Sequence, residues 1–272
     1  MKSAVTISLA PEAKGGPFTF WDLAEGCSHA AKLGFDAVEI FPSSANLLNR
    51  RELNDLLAKH NLKIAAVGTG AGWVKHKLRL TDPDAEIRRR AREFAGGIVA
   101  LAGELGAPAI IGSMQGRCEA GVSREQALEW FGEGLKELSD KAARFSQVLL
   151  YEPLNRYETD IFNRQGEAAD FLRALPSKNI RLLCDLYHMN IEERNVAEAL
   201  REAGPLVGHI HWADSNRKAM GLGHTDAGPV IAALRAIGYS GYLSAEVAGG
   251  YESAEQSIKS IRRALSSTDK HA

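Results

Sequence analysis

The sequence feature that most constrains the fold is a short apolar run followed by a longer amphipathic stretch, repeated eight times. Because neighbouring parallel strands need a crossover between them, usually a helix, this alternation predicts a parallel sheet. The runs are rich in Val, Ile and Leu, which is typical of strands buried on both faces. Strands are predicted at Ala4–Leu9, Ala37–Phe41, Lys63–Gly68, Ala109–Gly112, Val148–Glu152, Arg181–Asp185, Val207–Trp212 and Tyr242–Val247.

Two parallel architectures compete, an open doubly wound sheet and a closed (β/α)8 TIM barrel. The open dinucleotide-binding sheet needs a glycine-rich turn after its first strand, and Leu9-Ala10-Pro11-Glu12 does not provide one. The 272 residues contain no linker and come close to the roughly 250 of a TIM barrel. We therefore expect one TIM-barrel domain over residues 1–272, with a frayed tail from Ser266 to Ala272. Predicted helices include Trp21–Leu33, Arg50–His60, Asp84–Leu105, Arg124–Phe145, Glu167–Leu175 and Val230–Ile237.

Composition narrows the classes of partner and compartment. The formal net charge is −1 and the pI is near 6.7, so the chain lacks the basic footprint of a nucleic-acid-binding protein. No run approaches the ~20 apolar residues of a membrane span, and the N-terminus reads as a strand rather than a signal peptide. Three scattered cysteines fit a reducing compartment. The expectation is a cytoplasmic protein with no nucleic-acid or membrane partner.

Each of the last four predicted strands closes on a side chain that can bind a metal ion. These side chains are Glu152, Asp185, His211 and Glu246. In TIM barrels the active site forms at the carboxyl ends of the strands. The period-two pattern lets these side chains point into the barrel mouth together.

Three carboxylates and one imidazole form a mostly hard ligand set, which suits Mn²⁺, with Mg²⁺ or Co²⁺ as alternatives, better than structural zinc. Each residue alone has a simpler explanation: Asp185 can cap a turn, and Glu152 can be a solvated strand end. His209 is interpreted as a core residue behind the site. Four candidates on four consecutive strand ends favour the metal site.

Three segments resemble the D-tagatose/D-psicose 3-epimerase family of xylose-isomerase-like TIM barrels. They are Glu152-Pro-Leu-Asn-Arg-Tyr-Glu158, Asp185-Leu-Tyr-His-Met-Asn-Ile-Glu-Glu193 and His209-Ile-His-Trp-Ala-Asp-Ser-Asn-Arg217. The match extends through Gly223–Val230 and Gly238–Glu246, so it covers roughly residues 150–247. Ile110-Ile-Gly, Gly116-Arg117 and Tyr157-Glu158-Thr159 look most like the branch acting on 5-keto-L-gluconate.

The resemblance implies a Mn²⁺-type metal on Glu152, Asp185, His211 and Glu246. It also implies that Glu152 and Glu246 act as the acid/base pair in C3 epimerisation of a ketose or keto-sugar acid through a cis-enediolate. Substrate would be held by Glu158, His188 and Arg217. Arg117 could bind a substrate carboxylate with two prongs, or simply lie on the surface beside Glu119. Relatives are commonly dimers or tetramers, but the sequence shows no interface, so the choice between a monomer, a homodimer and a homotetramer stays open.

Other activities fit the same residues. An aldose–ketose isomerase of the hydroxypyruvate type would move a proton between C1 and C2, and a sugar-acid dehydratase would expel a hydroxyl. A non-catalytic sugar-binding module would not need two carboxylates. An abasic-site endonuclease is disfavoured because strands three and four end in Val67-Gly68-Thr69-Gly70 and Gly112-Ser113-Met114, without the extra histidines of that family.

Several positions are left open by the sequence. Glu39 either supports the site or is a buried structural carboxylate. The loop with Trp73 and Lys75 is either a wall of the site or the tip of a solvated lid. Val247-Ala248-Gly249-Gly250 and the loop after strand one depart from the tagatose enzymes, which leaves the identity of the sugar undecided.

Overall fold

A computed structural model describes residues 1–267, which contain eight parallel strands closed into a barrel in the order β1 to β8. Adjacent strands pair in parallel, and β1 pairs with β8 through Ala4 and Ser244. The predicted (β/α)8 TIM barrel is therefore confirmed. The strands are β1 Lys2–Ser8, β2 Ala37–Phe41, β3 Lys63–Gly68, β4 Ala109–Ile111, β5 Leu149–Tyr151, β6 Ile180–Asp185, β7 Val207–His211 and β8 Tyr242–Ala245.

Helices connect these strands and surround the barrel. Their starts follow capping rules: Asp22, Asn49 and Ser123 each accept a hydrogen bond from a backbone N–H three residues later. The helices are α1 Leu23–Leu33, α2 Arg50–His60, α3 Ala71–Val74, α4 Ala85–Glu104, α5 Arg124–Ala143, α6 Gln165–Ala174, α7 Leu186–Glu192, α8 Val196–Ala203, α9 Ala227–Ala236 and α10 Gly250–Ser266.

Strand periodicity divides the buried residues into two layers. Val38 and Ile40 of β2 pack with the helices in the main apolar cluster, whereas Phe41 belongs to a separate small cluster. That small cluster takes one residue from each of β2 to β6 and consists of Phe41, Ala66, Ile110, Leu150 and Leu183. The residues that alternate with the helix-facing layer therefore fill the barrel interior, which places Asp185, His209 and His211 there too.

Element boundaries differ from the predictions by a few residues. Glu152 and Glu246 each lie one residue beyond their strands, in the connecting loops. Ser266, predicted to begin a frayed tail, is the last residue of α10, and the rest of that predicted tail from 268 onward lies outside the described residues. Among the helices of residues 1–267, none has the length and hydrophobicity needed to cross a membrane.

Candidate active site

A cavity of about 790 Å³ opens at the carboxyl ends of the strands. Of the eight residues predicted for the site, six line this cavity, namely Arg117, Glu152, Glu158, His188, Arg217 and Glu246. Asp185 and His211 are fully buried beside it. The fold thus brings together side chains that come from four different strand ends.

The imidazole of His211 is the centre of the cluster. Its Nδ1 lies 3.5 Å from Glu152 Oε1, 3.7 Å from Asp185 Oδ2 and 3.5 Å from Glu246 Oε2. These separations are too long for good hydrogen bonds. They are close to the about 3.0–3.4 Å expected between donor atoms that share one ion at about 2.1 Å.

Unpaired polar atoms mark the same spot. Glu152 Oε1, Asp185 Oδ2 and His211 Nδ1 are buried and have no hydrogen-bond partner. Their donor atoms lie within 4.8 Å of one another. Buried polar atoms without partners are costly, and three carboxylates around one point repel each other. A divalent cation would satisfy all of these groups, so the donor set fits the predicted metal site.

Electrostatics differ between the acidic residues. Burial raises the pKa of Glu152, although His211 partly opposes this. For Asp185, burial also favours the neutral form, but the nearby His188, His211 and Arg217 outweigh it and hold the pKa below its usual range. Burial disfavours the imidazolium of His211, but the negative charges of Glu246 and Glu39 raise its pKa well above the usual value. The pKa values of Asp185 and His211 are therefore shifted in the directions expected where carboxylates and cationic side chains lie close together.

Arg217 reaches into the site from the loop after β7. Its Nη2 donates to Glu246 Oε2 at 3.0 Å, and its guanidinium lies 4.6 Å from the ring centre of Tyr187. Arg217 has a positive φ of 59°, in a turn closed by hydrogen bonds between Asp214 and residues 217 and 218. This turn directs the side chain back over the strand ends.

His188 on α7 is held by Asn155 of the loop after β5. Its Nδ1 accepts the backbone N–H of Asn155 at 3.2 Å, so Nε2 carries the proton in the neutral ring. Nε2 lies 3.5 Å from Asp185 Oδ2 and 4.0 Å from Glu152 Oε1, without a hydrogen-bond partner. The amide of Asn155 also donates to Glu158 Oε1 at 3.3 Å. Asn155 therefore orients two predicted substrate-binding side chains, a role not inferred from sequence.

Glu39, left open by the sequence, lies fully buried inside the barrel. Its Oε2 is 2.5 Å from His209 Nε2 and its Oε1 is 2.8 Å from His211 Nε2. Burial opposes ionisation of Glu39, but the charges of His211 and His209 outweigh it and lower its pKa. Glu39 thus contacts Nε2 of His211, whereas the carboxylate cluster lies at Nδ1 on the other side of the same ring.

Gly112, the residue directly after β4, provides the space that Glu152 occupies. A Cβ atom at this position would lie 2.5 Å from Glu152 Oε2. Behind it, the buried Gln115 donates to the carbonyl oxygens of Gly112 and Glu152, both at 3.0 Å. A glycine at a strand end is the only sequence signal for this contact, and it does not identify the neighbour.

Arg117 and the loop with Trp73 and Lys75, two features whose roles the sequence left open, both lie at the cavity but make different contacts. Arg117 lines the cavity, but its Nε donates to the carbonyl of Glu158 and its Nη2 to the carbonyl of Tyr157. Arg117 therefore connects the loop after β4 to the loop after β5. Its Nη1 takes no part in these two hydrogen bonds. Trp73 lines the cavity as a wall, and Lys75 pairs with Glu12 across the mouth at 2.7 Å.

Comparison with known proteins agrees with this architecture. Residues 27–266 match the family described as the xylose isomerase-like TIM barrel. The chain belongs to this family. The D-psicose 3-epimerase of Agrobacterium fabrum is 31% identical over 224 residues, which is 79% of this chain and 76% of that protein. The 3-dehydro-D-guloside 4-epimerase of Escherichia coli is 39% identical over 111 residues, 41% of this chain and 42% of that protein.

A solved relative shows the same fold over nearly the whole chain. The D-allulose 3-epimerase of a Methylomonas species superposes with a TM-score of 0.82 at 24% identity, covering 97% of this chain and 99% of the other. The predicted resemblance to ketose 3-epimerases within the xylose isomerase-like family is confirmed, and so is the expected class of sugar epimerase enzymes.

Proposed function

We propose that this protein is a metal-dependent epimerase that inverts C3 of a ketose or keto-sugar acid through a cis-enediolate, with Glu152 and Glu246 as the acid/base pair. One observation carries the proposal. Glu152 follows β5 and Glu246 follows β8, so the two residues are far apart in the sequence. Both nevertheless border the cavity, and each has a carboxylate oxygen 3.5 Å from His211 Nδ1.

The metal ligands are proposed to be Glu152, Asp185, His211 and Glu246. When bound, a divalent cation stabilises the negative charge that develops on the sugar oxygens and orients them. The oxygen-rich donor set supports Mn²⁺, with Mg²⁺ and Co²⁺ as alternatives. The unpaired buried atoms of Glu152, Asp185 and His211 support this choice of ligands.

Epimerisation requires removal of a proton on one face of C3 and delivery of a proton on the other. Glu152 and Glu246 both have carboxylate oxygens at the cavity wall and can each move a proton to or from the substrate. Because the reaction is reversible, the residue that acts as base in one direction acts as acid in the other. The third carboxylate of the cluster, Asp185, is fully buried and does not line the cavity.

Substrate orientation is proposed to depend on His188, Arg217 and Glu158. His188 presents an Nε2–H to the cavity, since its Nδ1 is occupied by Asn155. Arg217 brings a guanidinium beside Glu246, and Glu158 lies 3.7 Å from Arg217 Nη1. A donor, a cation and an acceptor therefore face the same space, which suits the hydroxyls of a sugar.

The substrate is proposed to be a small sugar, and the relatives suggest candidates of two kinds. The Agrobacterium relative acts on D-psicose at C3, and the Escherichia coli relative acts on a keto-glycoside at C4. For a sugar acid, Arg117 Nη1 at the cavity wall is the group proposed to meet the carboxylate. The unpaired Cys27, Cys118 and Cys184 are in keeping with a cytoplasmic setting.

The test is to incubate the Mn²⁺-loaded protein in D₂O with D-tagatose, D-fructose, D-psicose and 5-keto-L-gluconate and to locate deuterium by NMR. The expected result is deuterium at the hydroxyl-bearing carbon next to the ketone, which is C3 of the ketoses and C4 of 5-keto-L-gluconate, together with the epimer inverted at that carbon. Label at C1 alone identifies an aldose–ketose isomerase, and loss of a hydroxyl identifies a dehydratase. Binding of sugar with no exchange in any of them overturns the proposed reaction and leaves a binding module.

A further inference from the structure

Glu39, in the middle of β2, is a fully buried ionisable group that the proposed reaction does not use. Its side chain crosses the barrel interior to β7 and bonds to two histidines there. The distances are 2.5 Å to His209 Nε2 and 2.8 Å to His211 Nε2. All three residues are at most 1% exposed. Bulk solvent therefore does not compete for these bonds.

The bonding pattern fixes the protons on both imidazoles. An ionised carboxylate offers acceptors only, so each histidine must donate to Glu39 from its Nε2. A metal-bound His211 is a neutral ring, so with its proton on Nε2 the metal can bind only Nδ1, the nitrogen that faces Glu152, Asp185 and Glu246 at 3.5–3.7 Å. Nδ1 also has no hydrogen-bond partner. The nitrogen left free by Glu39 is the one that the cluster needs as a metal donor.

We propose that Glu39 is a positioning residue that sets the tautomer and ring orientation of His211, so that Nδ1 binds the metal. His209 is the second anchor, which holds the Glu39 carboxylate in place from below. Carboxylates that accept the second N–H of a metal-bound histidine commonly tune metal affinity by about 10–100-fold. This inference rests on the proposed metal site but not on the identity of the sugar or of the reaction.

Glu39→Gln is the test variant, because it keeps the size of the side chain and changes its bonding. An amide has one acceptor oxygen and one donor NH₂ group, so it cannot accept from both Nε2–H groups. We expect about 10–100-fold weaker binding of Mn²⁺, measured by titration with detection of free Mn²⁺ by electron paramagnetic resonance. We also expect an altered visible spectrum of the Co²⁺-loaded protein.

The matched control is Glu193→Gln. The Glu193 side chain is 4% exposed and accepts the Gln165 N–H at 2.6 Å, and it does not line the cavity. Its substitution makes the same chemical change in a buried carboxylate, so it lowers the melting temperature without changing Mn²⁺ affinity. If Glu39→Gln behaves like this control, with affinity within twofold of the parent, Glu39 is a structural residue and the inference is wrong.

A measurement on the parent protein covers the case in which Glu39→Gln does not fold. With ¹⁵N-labelled histidine and saturating Mg²⁺, long-range NMR correlations report which nitrogen of each ring carries a proton. A proton on Nε2 of His211, with Nδ1 unprotonated, is the expected result, and a proton on Nδ1 overturns the inference. If the parent binds neither metal, the proposed metal site itself fails, which is a different outcome.

Discussion

The position of the Glu152 carboxylate depends on the lack of a side chain at Gly112. Because a Cβ on Gly112 would lie 2.5 Å from Glu152 Oε2, Gly112→Ala must displace that carboxylate. A shift of about 1 Å in a catalytic group can cost about 100-fold in rate, so we expect kcat to fall by about that factor and Mn²⁺ binding to weaken. Steady-state epimerisation and metal titration measure the two effects.

Gly97→Ala in α4 is the matched control for this substitution. The nearest atom to a Cβ at Gly97 is 3.6 Å away, which is an ordinary contact. Replacing a glycine inside a helix by alanine stabilises by about 0.5–1 kcal/mol, and the site is not touched. Parental kcat and metal affinity in Gly112→Ala would contradict the proposed geometry.

A second prediction at this scale concerns Arg217. Arg217→Lys keeps the positive charge but replaces the planar guanidinium by a single ammonium group. The ammonium group cannot bond to Glu246 and pack on the ring of Tyr187 at the same time, as the guanidinium does. Loss of one charge-assisted hydrogen bond, about 1.5–3 kcal/mol, lowers kcat/KM by about 10–100-fold. Arg156→Lys, the same exchange in an exposed arginine outside the cavity, should keep the parental value. If both variants have the same kcat/KM, Arg217 does not contribute to substrate binding or catalysis.

Single residues differ in how well the sequence predicts them. Asp185 and His211 were recognisable because each ends an apolar run with a polar side chain, and strand ends meet at one edge of a barrel. Glu39, Gly112 and Asn155 could not be assigned, because their contacts cross the barrel or join two loops. Such contacts depend on distances between elements, which the local pattern does not encode.

At the scale of elements, the loop between β7 and α9 is built around Asp214. Its carboxylate accepts four backbone N–H groups, from Ser215, Gly221, Gly223 and Thr225, at 2.7–3.0 Å. Burial raises the pKa of Asp214, but these hydrogen bonds, with that of the Thr225 hydroxyl, outweigh it and hold the pKa below its usual range. The same loop carries Arg217, so its order affects the site.

Asp214→Asn should lower the free energy of unfolding by about 1.5–3 kcal/mol at pH 7, because the amide accepts these bonds less strongly than the carboxylate. The folded-state pKa lies below the unfolded value of about 3.9, so this stabilisation is present above about pH 4 and declines as the pH falls towards the folded pKa. Denaturant unfolding at several pH values should show the difference between parent and variant shrinking below about pH 4.

Asp226→Asn provides the comparison for that measurement. Asp226 is an exposed N-cap of α9 that accepts one N–H, from Gly228 at 3.0 Å, and asparagine caps about as well as aspartate. We expect a change of only a few tenths of a kcal/mol. A loss in Asp214→Asn that stays constant from pH 7 to pH 3 would show that the charge of Asp214 does not stabilise the loop.

Elements are predicted best where clear signals mark both of their ends. The bounds of β2, β3 and α2 agree with the sequence prediction at both ends, since apolar runs and polar caps mark them clearly. The short α3 and α7 were not anticipated. Both begin within three residues of a strand end, where Asp185 or Gly70 could equally start a loop, so only the tertiary contacts decide.

At the scale of the whole molecule, the closed barrel holds together the four strand ends that carry the proposed metal ligands, so metal binding should stabilise the fold. Mn²⁺ at about 100 times its dissociation constant adds about 2.7 kcal/mol, equivalent to about 5–10 °C in melting temperature for a chain of this size. Asp185→Asn still can accept the Tyr187 N–H but lacks the ligand charge, so its gain should be much smaller. A parental protein whose melting temperature does not respond to Mn²⁺ or to chelator would contradict the metal site.

The closed barrel itself could be predicted because eight units of similar length repeat the same order of elements, and a parallel arrangement of buried strands has few solutions. The volume and lining of the cavity could not. They arise from loops after β1, β3 and β4, such as the contact between Glu12 and Lys75, whose conformations no periodic pattern specifies.

The central claim is that two carboxylates on opposite faces of the substrate share the proton transfer. The most direct measurement is deuterium exchange by Mn²⁺-loaded Glu246→Gln, started separately from each of the two C3 epimers in D₂O. With Glu152 as the one remaining base, epimer formation should fall by about 100–10,000-fold. One epimer should still exchange its C3 hydrogen without inversion, and the other should not exchange. Inversion at the parental rate, with metal bound, would contradict the account.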